Sequence, residues 1–245
     1  MRAGARVLVR VDAATALSAS GAAALRALGD AGGVDAIVLG SATGDADPST
    51  VAAFLGSRHP RLGFVIEAGF AHDFPYNLAR RVASLQALAG RAPGLLLRPG
   101  GAGDRDGVDA LHLLWQSWPR TSIVGDHETR TFVDVRQLRR VDQSGRHRVA
   151  GPLQTPVDQD DLPVVLQRFD PAAPDESADA DVLVTDAAGT ARARAAADGR
   201  PVFVDAGAAD ARRAVEEGAA GVIVDDEPDA VRLALGRAAQ AGDGG

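Results

Sequence analysis

Eight apolar runs of strand length recur along the chain: VLVRV (7–11), VDAIVLG (34–40), LGFVIEA (62–68), GLLLR (94–98), PVVLQ (163–167), DVLVT (181–185), PVFVD (201–205) and GVIVD (221–225). Most are rich in Val, Ile and Leu at consecutive positions, so both faces of each strand are apolar and both must be covered. Between them lie Ala- and Arg-rich segments with helical spacing: ASGAAALRALGD, PSTVAAFLGSR, PYNLARRVASLQALAG, VDALHLLWQSW, AAGTARARAAADG, ADARRAVEEGA and PDAVRLALGRAAQ. Strands alternating with helices imply a parallel sheet. The α/β reading is therefore a compact (β/α)8 TIM barrel, with a doubly wound open sheet as the alternative. The fifth unit is irregular, because PAAPDESADA after PVVLQ carries two prolines and no helical pattern. A single barrel domain is expected over residues 1–240, with AGDGG (241–245) a disordered tail.

Composition removes several chemistries. The chain has no Cys and no Lys, so all 26 basic residues are Arg. Disulfides, thiolate metal sites, Cys nucleophiles and Lys Schiff bases are excluded. A net charge of −7 disfavours nucleic acid, and RQLRR (136–140) reads as solvated surface rather than a phosphate-binding patch. No run approaches the roughly 18 apolar residues of a membrane span. The charged, alternating start MRAGARVLVRVDA lacks the apolar core of a signal peptide, so a soluble cytoplasmic protein is expected.

In a barrel, function gathers at the C-terminal strand ends. Those ends carry Asp12, Glu67, Arg98, Gln167, Arg168, Asp186, Asp205, Asp225 and Asp226. Converging carboxylates can hold a divalent metal through hard oxygen ligands. They can equally cap the helices that follow, the preferred reading for Asp186 and Asp205, and no metal ligands are assigned. His72 and Tyr76 flank the loop AHDFPY and are the candidate catalytic acid/base pair near the mouth. His112 and His147 read as helix and loop residues.

Three blocks carry a family resemblance. They are DPSTVAAFLGSRHPRLGFVIEAG (47–69), PYNLARRVASLQALAGRA (75–92), and Trp115-Gln-Ser-Trp118 followed by FVDVRQLRRVDQSGRHRVAGPLQTP (132–156) and PVVLQ. In this order the chain resembles the bacterial luciferase-like flavin monooxygenases, in the nitrilotriacetate and dibenzothiophene-sulfone monooxygenase branch. Read bottom-up, ARRVASLQAL buries Val82, Leu85 and Leu88 and leaves Arg80 and Arg81 free. Trp115 and Trp118 share a helix face in the core or at a subunit contact. The polar excursion RVDQSGRHRVAGPLQTP (140–156) covers the barrel rather than reacting.

The resemblance implies a (β/α)8 barrel that binds reduced FMN at the strand ends, takes it from a flavin reductase, and oxidises a small organic substrate as a homodimer or as a heteromer with a related subunit. It points to Ala68, Gly69, Arg98, Gln167 and Arg168 as cofactor-binding positions. This sequence departs from the family there. Glu67-Ala68-Gly69 replaces a small hydroxyl residue, Leu95 replaces an Asn, and Arg98-Pro99 replaces Thr-Ser. The phosphate-gripping turn becomes Gln167-Arg168-Phe169-Asp170-Pro171, in which Pro offers no N–H and Asp170 repels a dianion. Two readings follow: a flavin-dependent oxidoreductase whose phosphate site is largely lost or is replaced by an Arg98/Arg168 clamp, and a noncatalytic barrel serving as scaffold or subunit partner of a full-length relative.

Overall fold

The computed structural model describes residues 5–41, 44, 46–89, 91, 93–98, 100, 103–177 and 179–225. Its first strands are β1 (Arg6–Asp12), β2 (Ala36–Gly40), β3 (Gly63–Ala68) and β4 (Gly94–Leu97). Two antiparallel pairs follow outside the main sheet, β5 (Ile123–Asp126) with β6 (Thr131–Val133) and β7 (Asp142–Gln143) with β8 (Val149–Ala150). Then come β9 (Val164–Arg168), β10 (Val182–Thr185), β11 (Val202–Asp205) and β12 (Gly221–Asp225). Strands β1–β4 and β9–β12 are all parallel, and β1 pairs with both β2 and β12, closing the barrel. The closed form, not the open sheet, is adopted.

Seven helices are described: α1 (Ala13–Leu17), α2 (Ala19–Ala31), α3 (Pro48–Gly56), α4 (Pro75–Ala89), α5 (Asp104–Trp115), α6 (Thr190–Ala196) and α7 (Ala208–Glu216). After β9 the chain makes only a single 3-10 turn, Pro174–Ser177, so the fifth unit is irregular as its prolines require. The expected helix in PDAVRLALGRAAQ, the tail 241–245, and the positions Pro99 and Asp226 lie outside the described residues.

Side chains alternate across each strand. Leu8, Val38, Val65, Leu96, Leu166, Val184, Phe203 and Ile223 point inward and fill the barrel. Their neighbours, such as Val9, Ile37, Ile66, Leu97, Val165 and Val204, face outward under the helices. This double burial is the reason the runs are apolar at successive positions.

The helices depart from the sequence reading at two places. Val82 and Leu85 are buried, but Leu88 is 62% exposed, because α4 packs Leu78, Ala79, Val82 and Leu85 on the core and its last turn runs past the barrel wall. Helix α5 stops at Trp115, so the two tryptophans do not share a helix face. The Trp115 indole is buried and donates to the Ala79 carbonyl of α4 at 3.1 Å, while that of Trp118 donates to the Ser122 hydroxyl at 2.9 Å.

The excursion at 140–156 is a clasp. Asp106 of α5 accepts the His147 amide at 2.6 Å and the Gln143 side chain at 3.2 Å. The Leu153 amide donates to Ser117 Oγ at 2.9 Å, and Val141, Val149 and Leu153 are buried. The Gly151–Pro152 peptide is cis. Phe70, from the turn after β3, is wedged between the His147 ring and α5; a Cβ on Gly107 would lie 2.4 Å from its ring. A backbone without a side chain at 107 is therefore what lets the turn, the helix and the clasp meet.

Gly107→Ala is expected to lower stability: overpacking costs about 1–3 kcal/mol, against roughly 1 kcal/mol gained in helix propensity. In a Phe70→Ala background the same change is expected to reverse sign and stabilise. Urea unfolding midpoints of the four chains measure this, and equal destabilisation in both backgrounds would refute the wedge.

Candidate functional site

The inward row of side chains changes character one step above the apolar layer. Two residues beyond Leu8, Leu166, Phe203 and Ile223 stand Arg10, Arg168, Asp205 and Asp225, and two beyond Val65 stands Glu67. The strand period thus delivers charged groups from different strands to one level at the mouth. Arg10 lies at their centre. Its Nε donates to Glu67 Oε1 at 3.0 Å, its Nη1 and Nη2 bind both oxygens of Asp205 at 3.0 and 2.6 Å, and Nη1 also reaches Asp225 Oδ1 at 3.1 Å. Arg168 makes a second ion pair with Asp205. Gly40, at the end of β2, leaves room for Glu67, since a Cβ there would sit 2.7 Å from Glu67 Oε2.

Burial, donors and charge act together here. Burial pushes the Asp205 carboxyl up, but the hydrogen bond and charge of Arg10, joined by Arg168, outweigh it and hold the group below its ordinary range. Arg10 is correspondingly held more firmly protonated, its acidic partners overcoming the opposing effect of burial. The side chains of Arg10, Glu67 and Asp205 keep only 21%, 14% and 12% of their exposure, so the centre of the network is a largely buried, mutually paired plug, with Asp225 at its exposed edge. Among the described residues no group of His, Asp and Glu side chains is arranged to hold a metal ion.

Beside the plug, outside the ends of β2, β3 and β4, lies a cavity of about 440 Å³. Ile66, Ala68 and Pro48 supply apolar wall, and Arg98 and His72 stand at its rim. The Asp47 and Asp73 carboxylates also line it, both paired with Arg81. Burial raises Asp47, and the Ser49 hydroxyl, the Thr50 amide and hydroxyl, and Arg81 together bring it below the usual carboxylate range.

The residues singled out from sequence are distributed among different tasks. His72 is exposed at the cavity, whereas the Tyr76 hydroxyl donates to the Pro152 carbonyl at 3.3 Å and helps hold the clasp, so the two are not brought together. Ala68 and Gly69 are buried main-chain supports: the Ala68 carbonyl accepts the Arg98 amide at 2.8 Å, and the Gly69 carbonyl accepts those of His72 and Asp73 at 3.1 Å. Gln167 points outward from the barrel, 2% exposed, and donates to the Glu176 carbonyl at 3.0 Å. Arg98 and Arg168 do not act as a clamp, because Arg168 is committed to Asp205 while Arg98 faces the cavity. Asp186 accepts the Gly189 amide at 2.6 Å and shapes the turn into α6. Asp205, expected to cap α7, is drawn inward by Arg10 instead, and α7 begins at Gly207 without a side-chain cap. Arg10 was missed because it reads as one more strand residue within VLVRV; its spacing two beyond an inward Leu is the signal that locates it.

Backbone donors in the turn after β9 and at the start of α5 are paired within the chain. In the turn after β9, Pro171 has no N–H, the Ala172 amide donates to Asp170 Oδ1 at 2.8 Å, and the Ala173 amide donates to the Asp170 carbonyl at 3.1 Å. At the N-terminus of α5, Glu176 Oε2 accepts the amides of Gly103 and Arg105 at 3.0 and 3.2 Å. A carboxylate of the chain itself thus occupies that helix N-terminus.

No protein-family model matches the sequence, and no curated protein is significantly similar to it. Solved structures do share its fold. A riboflavin lyase, solved with modified FMN and its substrate riboflavin, is 19% identical with a TM-score of 0.66, over 83% of this chain and 62% of that one. An EDTA monooxygenase from Chelativorans sp. BNC1 is 20% identical with a TM-score of 0.62, over 87% and 66%. The coenzyme F420-dependent tetrahydromethanopterin reductase of Methanopyrus kandleri is 9% identical with a TM-score of 0.63, over 95% and 97%. The chain therefore spans less than two thirds of the length of the first two. The neighbours also include a long-chain alkane monooxygenase, and the likeness at these identities is one of fold.

Replacing Arg10 with Met strands Glu67 and leaves Asp205 with Arg168 alone, and is expected to cost about 2 kcal/mol at neutral pH, less than the ~3–5 of a fully buried pair because some solvent reaches the mouth. Asp205 has a depressed folded-state pKa, so its stabilisation is complete above the carboxylate range and lost as pH falls through that lowered value. The gap between wild type and variant should accordingly narrow below about pH 4. Urea midpoints at neutral pH and in acid measure this; a pH-independent gap would refute the assignment.

Proposed function

We propose that the chain is a luciferase-like barrel whose flavin site has been closed and that it works as a noncatalytic protein subunit. The three sequence blocks support the lineage, and the fold it shares with flavin- and F420-dependent enzymes agrees with it. The observation that carries the closure is Arg10, bound across the mouth to Glu67, Asp205 and Asp225. A flavin ring laid over that level would have to displace paired charges or leave them unpaired and dry. The backbone amides of the turn after β9 and of the first turn of α5, paired within the chain, support the same reading.

The partner is either a second copy or a full-length relative, docked on the face formed by α3 and α4. That face carries Phe54, 47% exposed, and Leu88, 62% exposed, beside a groove of about 650 Å³ that Leu85 and Arg80 help to line. Apolar side chains left in water around a groove suit a protein contact. One observation favours the other reading, a monooxygenase fed with reduced FMN by a reductase: a cavity does remain beside Ala68 and Arg98.

Fluorescence titration with oxidised FMN, and calorimetry with reduced FMN under anaerobic conditions, are expected to show no saturable binding. Tight quenching by the purified protein would replace the closed-site reading with the oxidoreductase one. Sedimentation of the wild type is expected to show an assembly, alone or with the relative added, that Leu88→Asp dissociates; a wild-type monomer in both conditions would remove the subunit role.

A further inference from the structure

The cavity outside β2, β3 and β4 contains an imbalance that the plug does not. Its acidic wall is neutralised from within: Glu67 is held by Arg10, and Asp47 and Asp73 by Arg81. Arg98 is different. Its backbone is fixed, with its amide on the Ala68 carbonyl at 2.8 Å, yet its guanidinium has no acidic partner among the described residues. A cation positioned by a strand end at the rim of a cavity of about 440 Å³, above apolar wall from Ile66, Ala68 and Pro48, has the elements of a small-molecule site.

We propose that this cavity binds a short-chain aliphatic monocarboxylate, with its carboxylate on the Arg98 guanidinium and its tail against Ile66, Ala68 and Pro48. A guanidinium fork matches the two oxygens of a carboxylate. The charge of the ligand follows from the wall. One negative charge on the ligand matches the one guanidinium that faces it, whereas the second charge of a dianion would meet only Asp47, Asp73 and Glu67, whose arginines are already paired with them. His72, exposed at the rim and without a partner among the described residues, adds a ring donor near the entrance. This proposal rests on the closed-site reading, since Ala68 and Arg98 line the cavity that a flavin would otherwise share.

The test is calorimetric titration of the wild-type protein with isobutyrate, isobutyramide and inorganic phosphate, repeated with Arg98→Ala and Arg98→Lys. Isobutyrate is expected to bind saturably, and the uncharged amide and phosphate about ten-fold more weakly or not at all. Arg98→Ala should weaken isobutyrate by about ten-fold or more, with Arg98→Lys between the two. Absence of isobutyrate binding to the wild type, equal binding of acid and amide, or undiminished binding by Arg98→Ala would each overturn the proposal. The comparison of acid with amide needs only wild-type protein, so it stands even if a variant misfolds. FMN binding is read separately by flavin fluorescence, so a failure of the closed-site reading is distinguished from a failure of this one.

Discussion

A single guanidinium organises the functional end of this barrel. Arg10 stands one layer above the apolar filling and reaches carboxylates from three other strands, with two of its contacts forming a fork on Asp205. An Arg at this depth is tolerable only because its partners converge on it, and they are tolerable only because it is there. The mutual dependence ties β1, β3, β11 and β12 together at the level where barrels of this kind present their chemistry. Gly40 belongs to the same arrangement, since its missing side chain is the space Glu67 occupies.

Three of the surrounding helix N-termini are filled by the chain's own carboxylates. Asp12 caps α1 through the amides of Ala14 and Thr15, Asp47 caps α3 through Thr50, and Glu176 sits on the first amides of α5. Arg98, by contrast, faces a cavity with no carboxylate paired to it among the described residues.

The polar excursion between the fourth and fifth barrel units has a structural task. It closes over α4, α5 and the turn carrying Phe70, using Asp106, Tyr76 and Ser117 as anchors. Tyr76 illustrates the limit of reading chemistry from residue type. A tyrosine near a histidine in a short loop looks like an acid/base pair, but its hydroxyl is directed at a carbonyl of the clasp.

Apolar runs on both strand faces, separated by helical segments, determined a parallel sheet covered on both sides, and the pairing of β1 with β12 decided for the barrel over the open sheet. Proline in the fifth connection determined that the helix of that unit would be missing. The pairings inside the mouth were decided by closure alone. Arg10 and Asp205 are separated by nearly the whole chain, and residues so distant meet only when the first and last strands join. The same closure turned Asp205 from an expected helix cap into the partner of two arginines, since a carboxylate takes the strongest donor within reach and that donor was brought to it by the fold.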